Sequence, residues 1–428
     1  MTNLPQPTEP QWTPNWGQAG RFVRPLYDTY GFARLPELVQ ALFSVPDAPV
    51  VGELLGPLAG EYEQVVLVLV DAFGWRFVER YRDDFPFLQR FFREGQVTRL
   101  TSQFPSTTAA HLTALHTGLE VGQSGVYEWF MYEPTLDAVI GSLLYSYAGD
   151  DATNRLAGSP LTPQMLYPQA DHYQRLAEAG VRSVLFGDAA YTPSAFSSVV
   201  MQGAKVVPTG TFEDAVRAAG DLLAGARAGQ RGFTFLYCGD VDYAGHQRGC
   251  ESAAFSRAAA RCFQQLELLQ PALGRSKQRT LLLFTADHGM LDVDPARTLA
   301  LDWAMPEIFR WLEPTRSGGY KVPAGAPRDF FLHIRPEYLD EAQQRLSTRL
   351  AGIAEVHPVA DLIAQGFFGS HPPSEVFLSR VGNLVILPYS GESVWWWGGG
   401  RFRNKLTGHH GGLTPEEMQT QVLAFAIG

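Results

Sequence analysis

Residues 65–71 read VVLVLVD. Six aliphatic residues without polar alternation end in an aspartate. A run of this kind suits a strand buried on both faces, the condition found inside a parallel sheet. LLLFTADH (281–288) repeats the pattern and ends in Asp287 and His288. A third run, FTFLYCGDVD (233–242), ends in Asp242, and His246 completes a D-x-x-x-H spacing. In open α/β sheets, sites form beyond the carboxyl ends of the strands. Three apolar runs that each deliver carboxylate or imidazole groups therefore place a site as well as a sheet.

Working outward, further strands are expected at 97–100 and 181–187, and helices at 34–44, 107–116, 170–179, 212–227 and 252–271. Strands alternating with helices of this length imply an α/β fold, a largely parallel central sheet with helices on both faces. Residues 1–50 read as an arm and a covering helix, and 51–312 with 381–428 as the main domain. Residues 313–380 read as a small inserted α+β subdomain, built from FFLHI and two helices. VGNLVILPY (381–389) is expected to return the chain to the main sheet or its edge.

The chain has 428 residues, 45% hydrophobic and 18% charged, with a formal net charge of −10. That balance argues against a nucleic-acid-binding surface. Cys238, Cys250 and Cys262 are evenly spaced and odd in number, matching neither a zinc knuckle nor a disulfide framework. The Pro-rich start lacks the basic and apolar segments of a signal peptide. No apolar run reaches the roughly 20 residues of a membrane helix. The expected location is cytoplasmic.

A fourth motif, GHHGGLTPEEM (408–418), brings His409 and His410. His410 stands directly before Gly-Gly and a helix start in which Thr414, Pro415 and Glu417 fit a capping box. His410 is the favoured ligand, with His409 as a supporting neighbour or the alternative. Three aspartates and three histidines suit two zinc-like ions. FPSTTAAHLTALHTG (104–118) adds Ser106, Thr107 and Thr108 at a helix start. Free N–H groups there favour a phosphoryl group, and a metal ion can activate a threonine hydroxyl. Taken singly, each motif has an ordinary reading as a cap, a turn or a chance spacing. Together they are specific.

These five segments, in their order along the chain, resemble the alkaline phosphatase superfamily, and within it the nucleotide pyrophosphatase/phosphodiesterase branch. The resemblance implies one metal held by Asp242, His246 and His410. It implies a second held by Asp71, Asp287 and His288, beside Thr108. It points to Thr108 as the nucleophile, with Thr107 the alternative. The two divalent ions would be zinc, with manganese or iron compatible with the same donors. The substrate would be a small phosphodiester or nucleotide, cleaved through a phospho-threonine that water then hydrolyses.

There are departures. The branch continues its nucleophile motif as T-F-P-N, where this chain has Thr108-Ala109-Ala110-His111. Its phosphate-holding Asn falls near Tyr127, Glu128 and Trp129 here. Tyr127 and Trp129 are therefore candidate substrate contacts, with core packing an equal reading, and His111, three residues after Thr108, is another, with a structural role as the plainer reading. A phosphomonoesterase or phosphonate hydrolase of the same superfamily is the alternative. It would need a cation at the terminal oxygens, for which only the distant Arg328 or Arg403 offers itself. A non-catalytic metal-binding protein is a third reading. WWWGGGRFRNK (395–405) reads either as a stacking rim or as an aromatic plug.

Overall fold

A computed structural model of the chain describes residues 15–48, 52–274 and 278–427. The main sheet has seven strands: β1 (Gln64–Val70), β2 (Gln96–Thr101), β3 (Val181–Asp188), β4 (Lys205–Thr209), β5 (Arg231–Cys238), β6 (Thr280–Thr285) and β7 (Gln419–Ile427). Their spatial order is β2-β7-β6-β1-β5-β3-β4. Pairing is parallel throughout except at β7, which runs against both β6 and β2. This is the α/β architecture expected from the sequence.

The absence of alternation in β1 has a direct cause. Val66, Val68 and Val70 pack on one side with the helices Trp75–Tyr81, Pro86–Glu94 and Ala253–Leu266. Val65, Leu67 and Leu69 pack on the other side with the helices Leu35–Leu42 and His172–Glu178. With two covered faces, every position is apolar. The helix Leu35–Leu42 lies over this face of the sheet. Residues 1–14 of the expected N-terminal arm lie outside the described residues. From Asn15 the arm forms a short antiparallel pair, Asn15–Trp16 with Phe22–Val23.

A second sheet corrects the expected organisation. Its order is Ala354–Pro358, Leu384–Pro388, Asp329–Leu332, Ala324–Ala326, Phe130–Glu133, Ala138–Gly141, Ser146–Tyr147. The run at 384–388 does not return to the main sheet. It pairs antiparallel with Asp329–Leu332 and Ala354–Pro358. Leu384 and Ile386 pack into one apolar cluster, and Val385 and Leu387 into another. An all-apolar run signals two covered faces and does not say which sheet supplies them. A hairpin from 130–147 also joins this sheet, through Phe130 opposite Gly325. A boundary at 380 therefore does not separate the two sheets.

The three cysteines are free and buried. No helix among the described residues is long and apolar enough to cross a membrane.

Candidate metal centre

β6, β1 and β5 are adjacent and parallel, so their carboxyl ends lie side by side. Asp71 directly follows β1, and Asp287 and His288 follow β6. Asp242 and His246 sit one turn apart on the helix Asp240–Arg248 that follows β5. His410 follows the short strand Gly408–His409, which pairs with Leu291–Asp292. That strand lies against the helix so closely that a Cβ on Gly408 would stand 2.5 Å from the Gly245 carbonyl oxygen. Only glycine permits the approach.

The result is two clusters. Asp242, His246 and His410 form one, and Asp71, Asp287 and His288 the other; within each, one ligand-type atom per residue lies within 4.8 Å of the others. His246 Nε2 is 3.4 Å from Asp242 Oδ1 and 3.1 Å from His410 Nε2. His288 Nε2 is 3.5 Å from Asp71 Oδ1 and 3.3 Å from Asp287 Oδ2. The His288 and His410 rings stack at 3.8 Å, joining the clusters.

The second nitrogen of each imidazole is committed to the main chain. Nδ1–H of His246 donates to the Gly408 carbonyl at 2.8 Å, that of His288 to Gly289 at 2.9 Å, and that of His410 to Ser106 at 2.9 Å. This fixes the tautomer and leaves three Nε2 lone pairs facing inward, the arrangement of metal-ligating histidines. His409 differs: its Nε2 bonds the Leu406 carbonyl at 3.1 Å, outside the clusters. His410 is therefore the histidine that the loop delivers.

The electrostatics call for a cation. Burial, followed by the charges of Asp287 and Asp242, raises the Asp71 carboxyl well above its usual range. Burial pushes Asp287 up to about 7 and also raises Asp242. Burial and neighbouring imidazoles hold His288 and His410 well below theirs. Asp242 Oδ1 and Asp287 Oδ2 have no hydrogen-bond partner among the described residues. A divalent ion reverses each of these penalties at once, so the donor set fits a metal centre.

Two further features shape the site. Ala72, with φ +59°, turns the chain after Asp71 and points its N–H at Asp287 Oδ1, 3.2 Å away. A non-glycine residue held there costs roughly 1–3 kcal/mol, a strain typical of functional sites. Tyr237, the penultimate residue of β5, donates its hydroxyl to Asp71 Oδ2. The other carboxylate oxygen is left facing Thr108 and His288. The sequence reading passed over Tyr237, although a polar tip after Phe233 and Phe235 on the same strand face was a usable signal.

Thr108 opens the helix Thr108–Thr117. Its Oγ1 lies 3.3 and 3.4 Å from the two Asp71 oxygens and 3.2 Å from His288 Nε2. Thr107 is its N-cap residue, and its hydroxyl interacts with the Glu128 carboxyl, which burial pushes up to about 7. The structure brings Thr108, not Thr107, to the clusters.

The other candidates part company with the site. His111 is fully buried: Nδ1–H donates to the Thr107 carbonyl at 2.7 Å, and Nε2 accepts from Gln103 N at 2.8 Å. Both nitrogens are used, so His111 braces the helix start and is closed to substrate. Tyr127 is fully buried, edge-on to Phe331 and Phe377 in the core. Trp129 is 36% exposed and makes no ring contact with either cluster among the described residues. Of the 127–129 segment, Glu128 is the residue that reaches Thr107. Arg328 is sealed in the core, bidentate to Glu417 and bonded to three main-chain carbonyls. It is not the missing cation. Arg403 is exposed and lies over the Trp397 ring.

The chain matches the model of the type I phosphodiesterase/nucleotide pyrophosphatase family over residues 65–412. No curated protein sequence matches it significantly. Among solved structures, murine ectonucleotide pyrophosphatase/phosphodiesterase 5 is similar with a TM-score of 0.60 at 18% identity, over 84% of this chain and 87% of that one. The human protein of the same name gives 0.62 at 17% identity, over the same shares. Phosphonoacetate hydrolase from Sinorhizobium meliloti 1021 gives 0.61 at 14%, over 86% and 92%. These likenesses show the fold, and the family match covers four of the motifs whole and the fifth through His410 to Gly412. The chain belongs to the type I phosphodiesterase/nucleotide pyrophosphatase family, a family of metal-dependent phosphoric ester hydrolases within the alkaline phosphatase superfamily.

Proposed function

We propose that the protein cleaves phosphodiester or pyrophosphate bonds of nucleotides or similar small diesters, with Thr108 as nucleophile at a two-zinc centre. The carrying observation is the Thr108 hydroxyl, held within 3.4 Å of Asp71 and His288 at the start of a helix. Asp242, His246 and His410 would hold one ion, and Asp71, Asp287 and His288 the other. Bound metal supplies a lowered hydroxyl pKa and neutralises charge on the phosphate oxygens. The chain's own residues supply the rest. Free N–H groups of the first helical turn face the phosphoryl oxygens. Tyr237 holds Asp71, and His111 holds the Thr107 carbonyl, so the nucleophile is oriented from both sides. The Thr108 Oγ–P bond forms as the P–O bond to the leaving group breaks. Water then cleaves the phospho-threonine and frees the hydroxyl. A structure of the murine relative is described as an inactive threonine-to-alanine variant in complex with AMP, which supports both the residue and the substrate class.

Arg328, buried in its pair with Glu417, is closed to substrate, which removes one of the two cations offered for a monoesterase or phosphonate hydrolase. The test is kcat/KM for bis(p-nitrophenyl) phosphate relative to p-nitrophenyl phosphate on zinc-loaded protein. We expect a ratio well above one, and Thr108→Ala to lower diester turnover at least 10³-fold. A ratio below one would favour the monoesterase. Full diester activity in Thr108→Ala and in Thr107→Ala would remove the covalent mechanism.

A further inference from the structure

The segment WWWGGGRFRNK is divided by the fold. Trp395 and Trp396 are buried in an apolar cluster beneath the second sheet. Trp397 is half-buried, 5.2 Å from Trp303, which is 69% exposed. This aromatic pair is built, not left over. The Asp302 carboxylate accepts the backbone N–H of Trp397 at 2.8 Å and of Gly398 at 2.9 Å, and Trp303 is the next residue after Asp302. One carboxylate thus fixes the backbone of both indoles. Gly398, Gly399 and Gly400 all have left-handed φ values of 56°, 67° and 95°. A Cβ on Gly398 would meet Phe402 at 2.9 Å. The glycines fold the chain back so that the Arg403 guanidinium lies 5.8 Å above the Trp397 ring.

Charge complements the aromatic face. Arg401, Arg403 and Lys405 stand within five residues without an acid, in a chain of net charge −10. Arg401 is engaged with the Ala148 carbonyl. Arg403 and Lys405 are exposed and make no hydrogen bond or ion pair among the described residues. Four residues beyond Arg403, Thr407 N donates to the His246 carbonyl at 2.9 Å. Four residues span at most about 14 Å, which limits how far the Arg403 backbone stands from the helix that carries Asp242 and His246.

We infer that Trp303, Trp397 and Arg403 form a subsite that stacks the nucleobase of a nucleotide substrate, with Arg403 and Lys405 meeting its negative charge. The inference rests on the reading of the chain as a nucleotide diesterase and deepens it. Stacking on an aromatic face is worth about 1–3 kcal/mol per base, and 1.4 kcal/mol is tenfold in affinity.

The test uses full-length metal-loaded protein and two diesters with one leaving group, thymidine 5′-(p-nitrophenyl phosphate) and methyl p-nitrophenyl phosphate. In Trp303→Leu, the ratio of kcat/KM for the thymidine ester to that for the methyl ester should fall about tenfold, through KM. Arg403→Gln should lower the same ratio severalfold. Unchanged ratios in Trp303→Leu, Trp397→Leu and Arg403→Gln would overturn the subsite. If the wild type turned over neither ester, the diesterase reading would fail. Calorimetric titration with AMP and with ribose 5-phosphate then decides the subsite alone. Base-dependent affinity lost in Trp303→Leu would support it, and equal AMP affinity in wild type and variant would overturn it.

Discussion

Each inward-facing imidazole gives its Nδ1–H to a main-chain carbonyl, and Asp71 is held by one phenol. Such supporting bonds typically change metal affinity 10–100-fold when lost. Tyr237→Phe should therefore weaken divalent-metal binding about tenfold, measured by competition with a chromophoric chelator. Unaltered affinity would mean that the backbone alone orients Asp71. His410→Ala should remove one equivalent of bound metal in elemental analysis, while His409→Ala should retain both. Loss of metal in His409→Ala alone would reverse the assignment of the pair. The two Asp/His clusters were legible because strand ends and short motifs place their members. Tyr237 and Glu128 were not, because a phenol reaching across to the next strand and a carboxyl behind the N-cap residue depend on neighbours distant in sequence. His111 misled for the related reason that closeness to Thr108 in sequence says nothing about which way the ring turns.

The loop carrying His410 is held as an element. Glu417 accepts from the Thr414 backbone N–H, its half of the capping box that the sequence announced, and also from Gly412 N and the Thr414 hydroxyl. Arg328, just before the strand Asp329–Leu332, pairs with Glu417, and both side chains are fully buried. One ion pair therefore ties the second sheet to the loop that carries His410. Removing one member of a buried pair leaves the other charge uncompensated, at about 3–5 kcal/mol. Arg328→Met should lower unfolding free energy by that amount in urea titration and reduce metal affinity along with it. A loss below 1 kcal/mol would mean that the pair does not hold the loop in place. The strands of the main sheet could be read one by one, since doubly covered apolar runs name themselves. The run at 384–388 could not be assigned to a sheet, because two-sided burial is equally satisfied in either.

At the scale of the whole molecule, the second sheet draws strands from 130–147 and from 324–388, and pairings of such long sequence separation leave no local trace. The same burial that completes the fold also sets its response to acid. His111, His116, His172 and His333 lie in the interior, and burial lowers them to about 4, 3, 4 and 3. His172 and His333 are lowered further by Arg175 and Lys321, and His116 by His172. In the unfolded chain each titrates near 6.5. Their native values are depressed, so the unfolded state binds more protons below about pH 6.5. The stability they contribute is complete above that pH and is lost as pH falls toward 4. Buried carboxyls with raised values, such as Asp329, act in the opposite sense, so total stability does not isolate the effect. The comparison of wild type with His116→Gln does, since His116 is fully buried with Nδ1 bonded to the Tyr173 hydroxyl at 2.7 Å. Between pH 6.5 and 4, the chelator-treated wild type should lose stability relative to the variant by up to about 1.4 kcal/mol per pH unit. A constant difference across that range would mean that His116 is protonated in the folded protein, against its enclosure by Tyr173 and Phe235.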